Sequence, residues 1–323
     1  MRSVQLAQGA KKLVETNGRV EPGDQVVVVT EYVMADLAQS IVTHATAVGA
    51  EVTTCIQAPR TLDGTEPTKA TAAAMQEADV IFSVVRTSIT HTRAMRSALE
   101  RGARAILMTA YTEEMMRIPA LLETDFEAQA EVCRRIGEAF TEGNEVRLTS
   151  PRGTDLTFSI EGRTANVLTN IPSPGELAPV PDIEVNVVPV TGSASGKLIF
   201  DASVPYLGIG VLDEPITCEV EDGMITSIEG GREAKQVAEA LRSYDDPNCY
   251  NVAELGVGLN PNARLTGDML EDEGVLGTIH IGIGTSHTLG GEVVAPMHYD
   301  LLMWEPTIEV DGQVIQENRT IKV

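Results

Sequence analysis

Aromatic side chains are scarce in this 323-residue sequence, at 4% with a single tryptophan, so Ala, Val, Leu and Ile must fill any core. Cations are the second shortage. Lys and Arg number 24 against 47 Asp and Glu, a formal net charge of −23. Phosphate backbones and anionic membrane surfaces are recognised by clustered cations, so neither nucleic acid nor a membrane is the expected partner. The acidity suits solubility or a salt-adapted host, and part of it could draw metal ions or cationic amines into a cleft. Only four cysteines occur, Cys55, Cys133, Cys218 and Cys249, and none forms a CxxC pair. That argues against a zinc ribbon and against a disulfide framework. No apolar run approaches the ~18 residues of a membrane span. The opening MRSVQLAQGAKKLVETNG lacks the apolar core of a signal peptide. The expected location is the cytoplasm. GxGxxG and GxxxxGK[ST] are also missing, which leaves dinucleotide and P-loop chemistry without a motif.

What is present is a chain of 43% hydrophobic residues, long enough for two domains. Its first third alternates strand and helix signals. Gln25–Thr30 (QVVVVT), Glu51–Ile56, Asp79–Val85 and Ala105–Thr109 read as short strands buried on both faces. Helical spacing runs from Met34 to Val48, stopped by Gly49, and over His91–Glu100. A third helix is expected over Asp125–Thr141, capped by Thr124 with Glu127 completing the box. Its apolar stripe is Phe126, Ala130, Cys133, Ile136 and Phe140. After Gly143 the texture changes to strands without intervening helices, such as Glu145–Ser150, Leu156–Ile160, Glu184–Pro189, Lys197–Asp201, Ile225–Glu229 and Thr307–Val310. One helix, Arg232–Arg242, interrupts them, and Asp311-Gly312 marks a hairpin. The expected fold is therefore α/β plus α+β: a doubly wound parallel-sheet domain over 1–143, then a larger, mostly antiparallel domain over 144–323 that carries the catalytic metal site.

Ionisable ligand types concentrate between Ala253 and Asp300. Three of the five histidines, His280, His287 and His298, lie there, with Glu254, Glu271, Asp272, Glu273, Glu292 and Asp300. In a strand reading of GTIHIGIG, Ile279, Ile281 and Ile283 share one face, and His280, Gly282 and Gly284 share the other. An imidazole flanked by residues without side chains leaves room for a metal or ligand. AELGVG repeats the arrangement with Glu254, Gly256 and Gly258. His298 and Asp300, at i and i+2, point to one side and could serve one ion, or could be a simple hydrogen-bonded pair.

These stretches, AELGVGLNPNARLTGDMLEDEGVLGTIHIGIG and MHYDLLMWEPTIEVDG, resemble the metallo-aminopeptidases of the aminopeptidase T and aminopeptidase S type. The resemblance extends over nearly the whole chain and includes a P-x-GE motif, here Pro172-Ser173-Pro174-Gly175-Glu176. It implies that Glu176, Glu254, His280, His298 and Asp300 hold two divalent ions (Zn, Co or Mn), with Glu273 a weaker match. It also implies a metal-activated water that cleaves an amide bond in a small peptide or small amide, with Glu176 or Glu254 bridging metals or relaying a proton. Homodimers are the implied assembly. One departure stands out. Seven residues after the strand histidine the family has a tyrosine where this chain has His287, a replacement that could support the oxyanion, meet substrate or merely sit in a loop.

The same fold family includes iron-dependent 2,5-dihydroxypyridine ring-cleaving dioxygenases. Here His280, His298 and Asp300 could form a facial triad for one Fe²⁺. Against that alternative, those enzymes place a histidine where this chain has Glu254. A non-catalytic metal-binding or interaction protein is the third reading. His91 and Arg93, after the third strand, could close over a site, or could simply start a helix. Arg152, in the turn SPRGTD, could meet a substrate carboxylate.

Overall fold

The computed structural model describes residues 2–323, with side chains from residue 5 onward, and they divide into two compact units. The first runs up to Ala130 and takes in Leu168–Pro181; the second holds Glu131–Val167 and Asp182–Val323. The chain therefore passes between units three times rather than once near residue 143.

The N-terminal unit is built on a five-stranded parallel sheet. Its strands, in spatial order, are Glu51–Gln57, Gln25–Glu31, Val80–Val84, Arg104–Leu107 and Leu177–Pro179. The first four follow from their runs of β-branched and apolar residues. The fifth is three residues contributed by a later segment. Between the strands lie helices Ala35–Val48 and Arg93–Glu100. Gly49 ends the first at φ 102°, a left-handed cap that glycine adopts without strain. Thr92 caps the second through Met95 N–H at 3.2 Å. Val27, Val29, Ile81, Met95 and Ala105 pack together as the core of this unit.

Helix Phe126–Glu142 buries all five stripe residues, as the 3.6-residue period requires. Its cap differs from the expected one: Asp125 Oδ1 accepts Ala128 N–H at 3.1 Å, and the Glu127 carboxylate turns outward to Arg19.

The C-terminal unit contains two large sheets and, among the described residues, a two-stranded one, Ser203–Val204 with Gly210–Val211. One has eight strands, in the order Met224–Gly230, Ile216–Glu221, Ser195–Phe200, Asp155–Ser159, Glu145–Thr149, Thr307–Val310, Gln313–Glu317 and Thr320–Ile321. Every pairing within it is antiparallel. Asp311 and Gly312 both take positive φ, 49° and 79°, which suits a two-residue hairpin turn. The other sheet has the order His298–Trp304, Thr278–Gly284, Val252–Gly258, Glu184–Val187, Asn166–Leu168. Its two central strands are buried on both faces along their full length. Among the described residues no helix is long and apolar enough to cross a membrane.

Candidate metal centre

The polar face of the five-stranded sheet of the C-terminal unit collects its charged residues opposite glycines. His280 pairs with Gly256, Glu254 and Asp300 both with Gly282, His298 with Gly284, and Glu184 with Gly258. A glycine across the strand leaves the space that a neighbouring side chain would occupy. At Gly256 a Cβ would lie 1.9 Å from His280 Nε2; at Gly282 it would lie 2.6 Å from the His298 ring and 2.8 Å from Glu254 Cβ. A register shift between Val252 and Glu254 marks a bulge, a device that re-aims side chains beside functional sites. The glycine periodicity seen in the sequence is thus a cradle for these side chains.

Within it, Glu254, His280, His298 and Asp300 converge with Glu184 and Asp182, from the strand Glu184–Val187 and its lead-in, and with Glu273. Three groups have ligand atoms within 4.8 Å of one another: Glu184, Glu254 and His280; Glu254, His298 and Asp300; Asp182, Glu184 and Glu273. His298 Nε2 lies 2.9 Å from Glu254 Oε2 and 3.2 Å from Asp300 Oδ1. Its Nδ1 is 2.7 Å from Thr285 O, so Nδ1–H donates to that carbonyl and Nε2 is the ring atom turned to the carboxylates, donating its proton to Glu254 in the metal-free cluster. His280 Nε2 is 3.4 Å from Glu184 Oε2 and 3.8 Å from Glu254 Oε1. Asn186 Nδ2 fixes the other Glu184 oxygen at 2.7 Å and is itself held through Asn166.

The donors fit a divalent cation. Asp182 Oδ1, Glu184 Oε2 and His280 Nδ1 are buried without a hydrogen-bond partner. Protein interiors rarely leave such groups unpaired, and a charge there is costly unless compensated. Mixed imidazole and carboxylate donors suit Fe²⁺, Mn²⁺, Co²⁺ or Zn²⁺. Without a cation, protons do the compensating. Burial pushes Glu184 up to about 7, with Glu254 adding to the rise against the pull of His280. Burial likewise raises Asp182 and Glu273 well above the usual carboxylate range. Burial opposes charge on His280, yet Glu184, Glu254 and Asp300 outweigh it and lift the imidazole to about 10. His298 rises as well, with Asp300 and Glu254 overcoming burial. Asp300 is held low, because His298, His280 and the Tyr206 hydroxyl overcome its burial. A bound cation would displace these protons.

Of the residues expected at the site, Glu254, Glu273, His280, His298 and Asp300 are brought together. Glu176 is not. It belongs to the N-terminal unit, is exposed, and gives a carboxylate oxygen to Ser173 N–H at 2.8 Å, capping its own turn. Glu184 stands where a further glutamate was sought. His287 is exposed at the start of a short 3₁₀ turn, its backbone N–H bonded to Val293 O, and joins none of the three groups. His91 is an exposed residue just before the Thr92 cap in the N-terminal unit. Arg152 pairs with Asp201 at 3.2 Å beside a cleft of about 450 Å³ lined by Trp304 and Arg319, also outside the three groups.

A parallel α/β unit, an antiparallel unit and a buried His/Glu/Asp cluster together define a metal-binding protein. The sequence profile of the 2,5-dihydroxypyridine 5,6-dioxygenase (NicX) family matches residues 9–322, and the chain belongs to that family. A 2,5-dihydroxypyridine 5,6-dioxygenase of Pseudomonas putida is 29% identical over 137 residues, an alignment that spans 39% of this chain and 39% of that protein. The structure of the 2,5-dihydroxypyridine dioxygenase from Pseudomonas putida KT2440 superposes with a TM-score of 0.85 at 19% identity, covering 99% of this chain and 98% of that one. Wild-type AmpT from Thermus thermophilus superposes with a TM-score of 0.71 at 15% identity over the full length of both. At such identities the two superpositions show a shared fold. Family membership corrects the aminopeptidase reading: the matching family and curated relative are dioxygenases, and the likeness to AmpT is one of architecture. The expected amide hydrolysis, its peptide substrate and the metal-activated water fall with it.

Proposed function

We infer that the protein is an Fe²⁺-dependent ring-cleaving dioxygenase acting on a small dihydroxylated nitrogen heterocycle of the 2,5-dihydroxypyridine kind. The observation that carries this reading is the pair of buried ligand groups that share Glu254, one with His298 and Asp300 and one with Glu184 and His280, in a chain that belongs to the dioxygenase family. Glu254, His298 and Asp300 would hold one ferrous ion, with His280 facing the other oxygen of Glu254. When bound, the ion supplies the redox chemistry that lets molecular oxygen react with an aromatic ring. The chain's own residues do the rest. Thr285 O orients His298 through Nδ1. Glu254 and Glu184 offer carboxylate oxygens that can accept the proton of a ring hydroxyl. Burial on both faces of the central strands keeps bulk water from the reacting ring.

The test is reconstitution of the metal-free chain with Fe²⁺ under nitrogen, followed by 2,5-dihydroxypyridine and air. Loss of the substrate's ultraviolet absorbance with uptake of one O₂ per ring is expected. Substrate that persists in an iron-loaded protein would refute the assignment.

A further inference from the structure

We propose that Tyr206 is a positioning residue of the metal centre, a proposal that rests on reading the cluster as a divalent-metal site. Tyr206 lies in the turn joining the short antiparallel strands Ser203–Val204 and Gly210–Val211. Its hydroxyl donates to Asp300 Oδ2 at 2.9 Å, with Glu273 Oε1 at 3.3 Å and Met269 Sδ at 3.2 Å. Asp300 Oδ1, the other oxygen, faces His298 Nε2 at 3.2 Å. The phenol thus distinguishes two otherwise equivalent oxygens. Oδ2 is tied to the turn, and Oδ1 is left on the side where Glu254 and His298 meet. A carboxylate without that tie could rotate about its terminal torsion, which is broad and soft.

The turn is shaped to deliver this contact. Leu207 takes φ 59° between Tyr206 and Gly208, in the left-handed region that non-glycine residues seldom adopt. Gln236 Nε2 clamps Leu207 O at 2.6 Å, and Ile209 N–H closes the turn on Tyr206 O at 3.0 Å. The Tyr206 ring rests against Tyr299, centroids 5.2 Å apart, next to Asp300 in sequence. Backbone strain, an external clamp and an aromatic contact all converge on where one hydroxyl sits. Groups that orient a ligand in this way commonly change metal affinity by about 10- to 100-fold when removed.

The test uses the full chain and Co²⁺ alone, followed by the visible absorption of the bound ion. Tyr206→Phe keeps the ring against Tyr299 and removes only the donor. The expected result is a melting temperature of the metal-free protein close to wild type, Co²⁺ affinity weaker by about 10- to 100-fold, and a shifted Co²⁺ spectrum. A merely structural tyrosine would change melting and leave the spectrum alone. Should Tyr206→Phe fail to fold, Gln236→Met releases the clamp on the turn and must move affinity and spectrum in the same direction. Wild-type affinity and spectrum in the variant that folds would overturn the proposal. Wild-type protein that binds no Co²⁺ would overturn the metal reading itself.

Discussion

Glu31 and Glu184 are both buried glutamates in five-stranded sheets, one in each unit, yet the structure treats them in opposite ways. Glu31 ends the strand Gln25–Glu31, second in its sheet, and its oxygens accept Arg60 N–H at 3.1 Å and Arg86 N–H at 3.2 Å. It ties down two loops that leave neighbouring strands. Glu184 has one oxygen held by Asn186; the other has no donor, faces an imidazole and sits among further carboxylates. A buried carboxylate supplied with backbone donors has a structural explanation within the chain. One left short of donors, among like charges, points to something the chain alone does not supply.

The harshest test of this contrast is removal of a ligand. Asp300→Ala or Glu254→Ala should lower Fe²⁺ or Co²⁺ affinity by roughly a hundredfold or more, since each donor carries a few kcal/mol of a site worth about 10 kcal/mol. Ring-cleaving activity should fall with it. Glu31→Ala should leave metal affinity, measured by competition titration, where it was. Equal losses in both units would erase the distinction.

Amide substitutions should then separate the two glutamates by sign. Glu31→Gln weakens two charge-assisted acceptors and should lower the stability of the chain by about 1–3 kcal/mol in urea unfolding. Glu184→Gln removes one charge from a crowded, donor-poor site. Metal-free protein carrying it should unfold at the same or a higher urea concentration than wild type at pH 8, while binding metal less tightly. A Glu184→Gln variant that is destabilised as much as Glu31→Gln would show that both carboxylates are structural.

Proton linkage sharpens the same point. In the metal-free cluster Glu184 is raised from 4.5 to about 7 and His280 from 6.5 to about 10, so the folded state binds more protons than the unfolded chain between those limits. Groups raised on folding contribute stability below their unfolded values and lose it as pH rises through the folded ones. The melting temperature of metal-free protein should therefore fall from about pH 5 towards pH 10, and saturating metal should flatten the slope by taking the protons' place. Parallel slopes with and without metal, followed by calorimetry, would contradict this.

Much of this contrast was written in the sequence, though unevenly. QVVVVT announced a strand buried on both faces, and GTIHIGIG announced a strand with an imidazole beside glycine-made space, because side-chain alternation is fixed by backbone geometry. The stretch Asp182-Ile-Glu184-Val-Asn186-Val carried the same i, i+2 signal as His298-Tyr-Asp300. The string P-x-GE carries a glutamate by resemblance, Glu176, whereas side-chain alternation alone singles out Glu184. Tyr206 had no local signal, since it reaches Asp300 across 94 residues from a strained turn. The strand Leu177–Pro179 was too short for any periodicity to register, and it joins its sheet only through long-range pairing with Arg104–Leu107. The choice between hydrolysis and ring cleavage was not legible, because both chemistries draw on the same imidazoles and carboxylates.

A third carboxylate provides the control for both. Glu292 is well supplied with donors, like Glu31, but it lies at the surface. Arg163 Nη1 and Nη2 meet its two oxygens at 2.6 and 2.7 Å, and Thr191 Oγ1 donates at 2.8 Å. The side-chain hydrogen bond from Arg163 holds the carboxyl down to about 2, with Thr191 adding to the effect. A lowered carboxyl contributes stability above its unfolded value of 4.5 and loses it as pH falls towards 2. Because Glu292 is 62% exposed, solvent and salt screen the pair, and Glu292→Gln should cost no more than about 1 kcal/mol at neutral pH. The difference from wild type should close as pH falls from 4.5 towards 2. If it instead matched the effect of Glu31→Gln, donor count alone would govern these carboxylates, and burial would lose its place in the comparison.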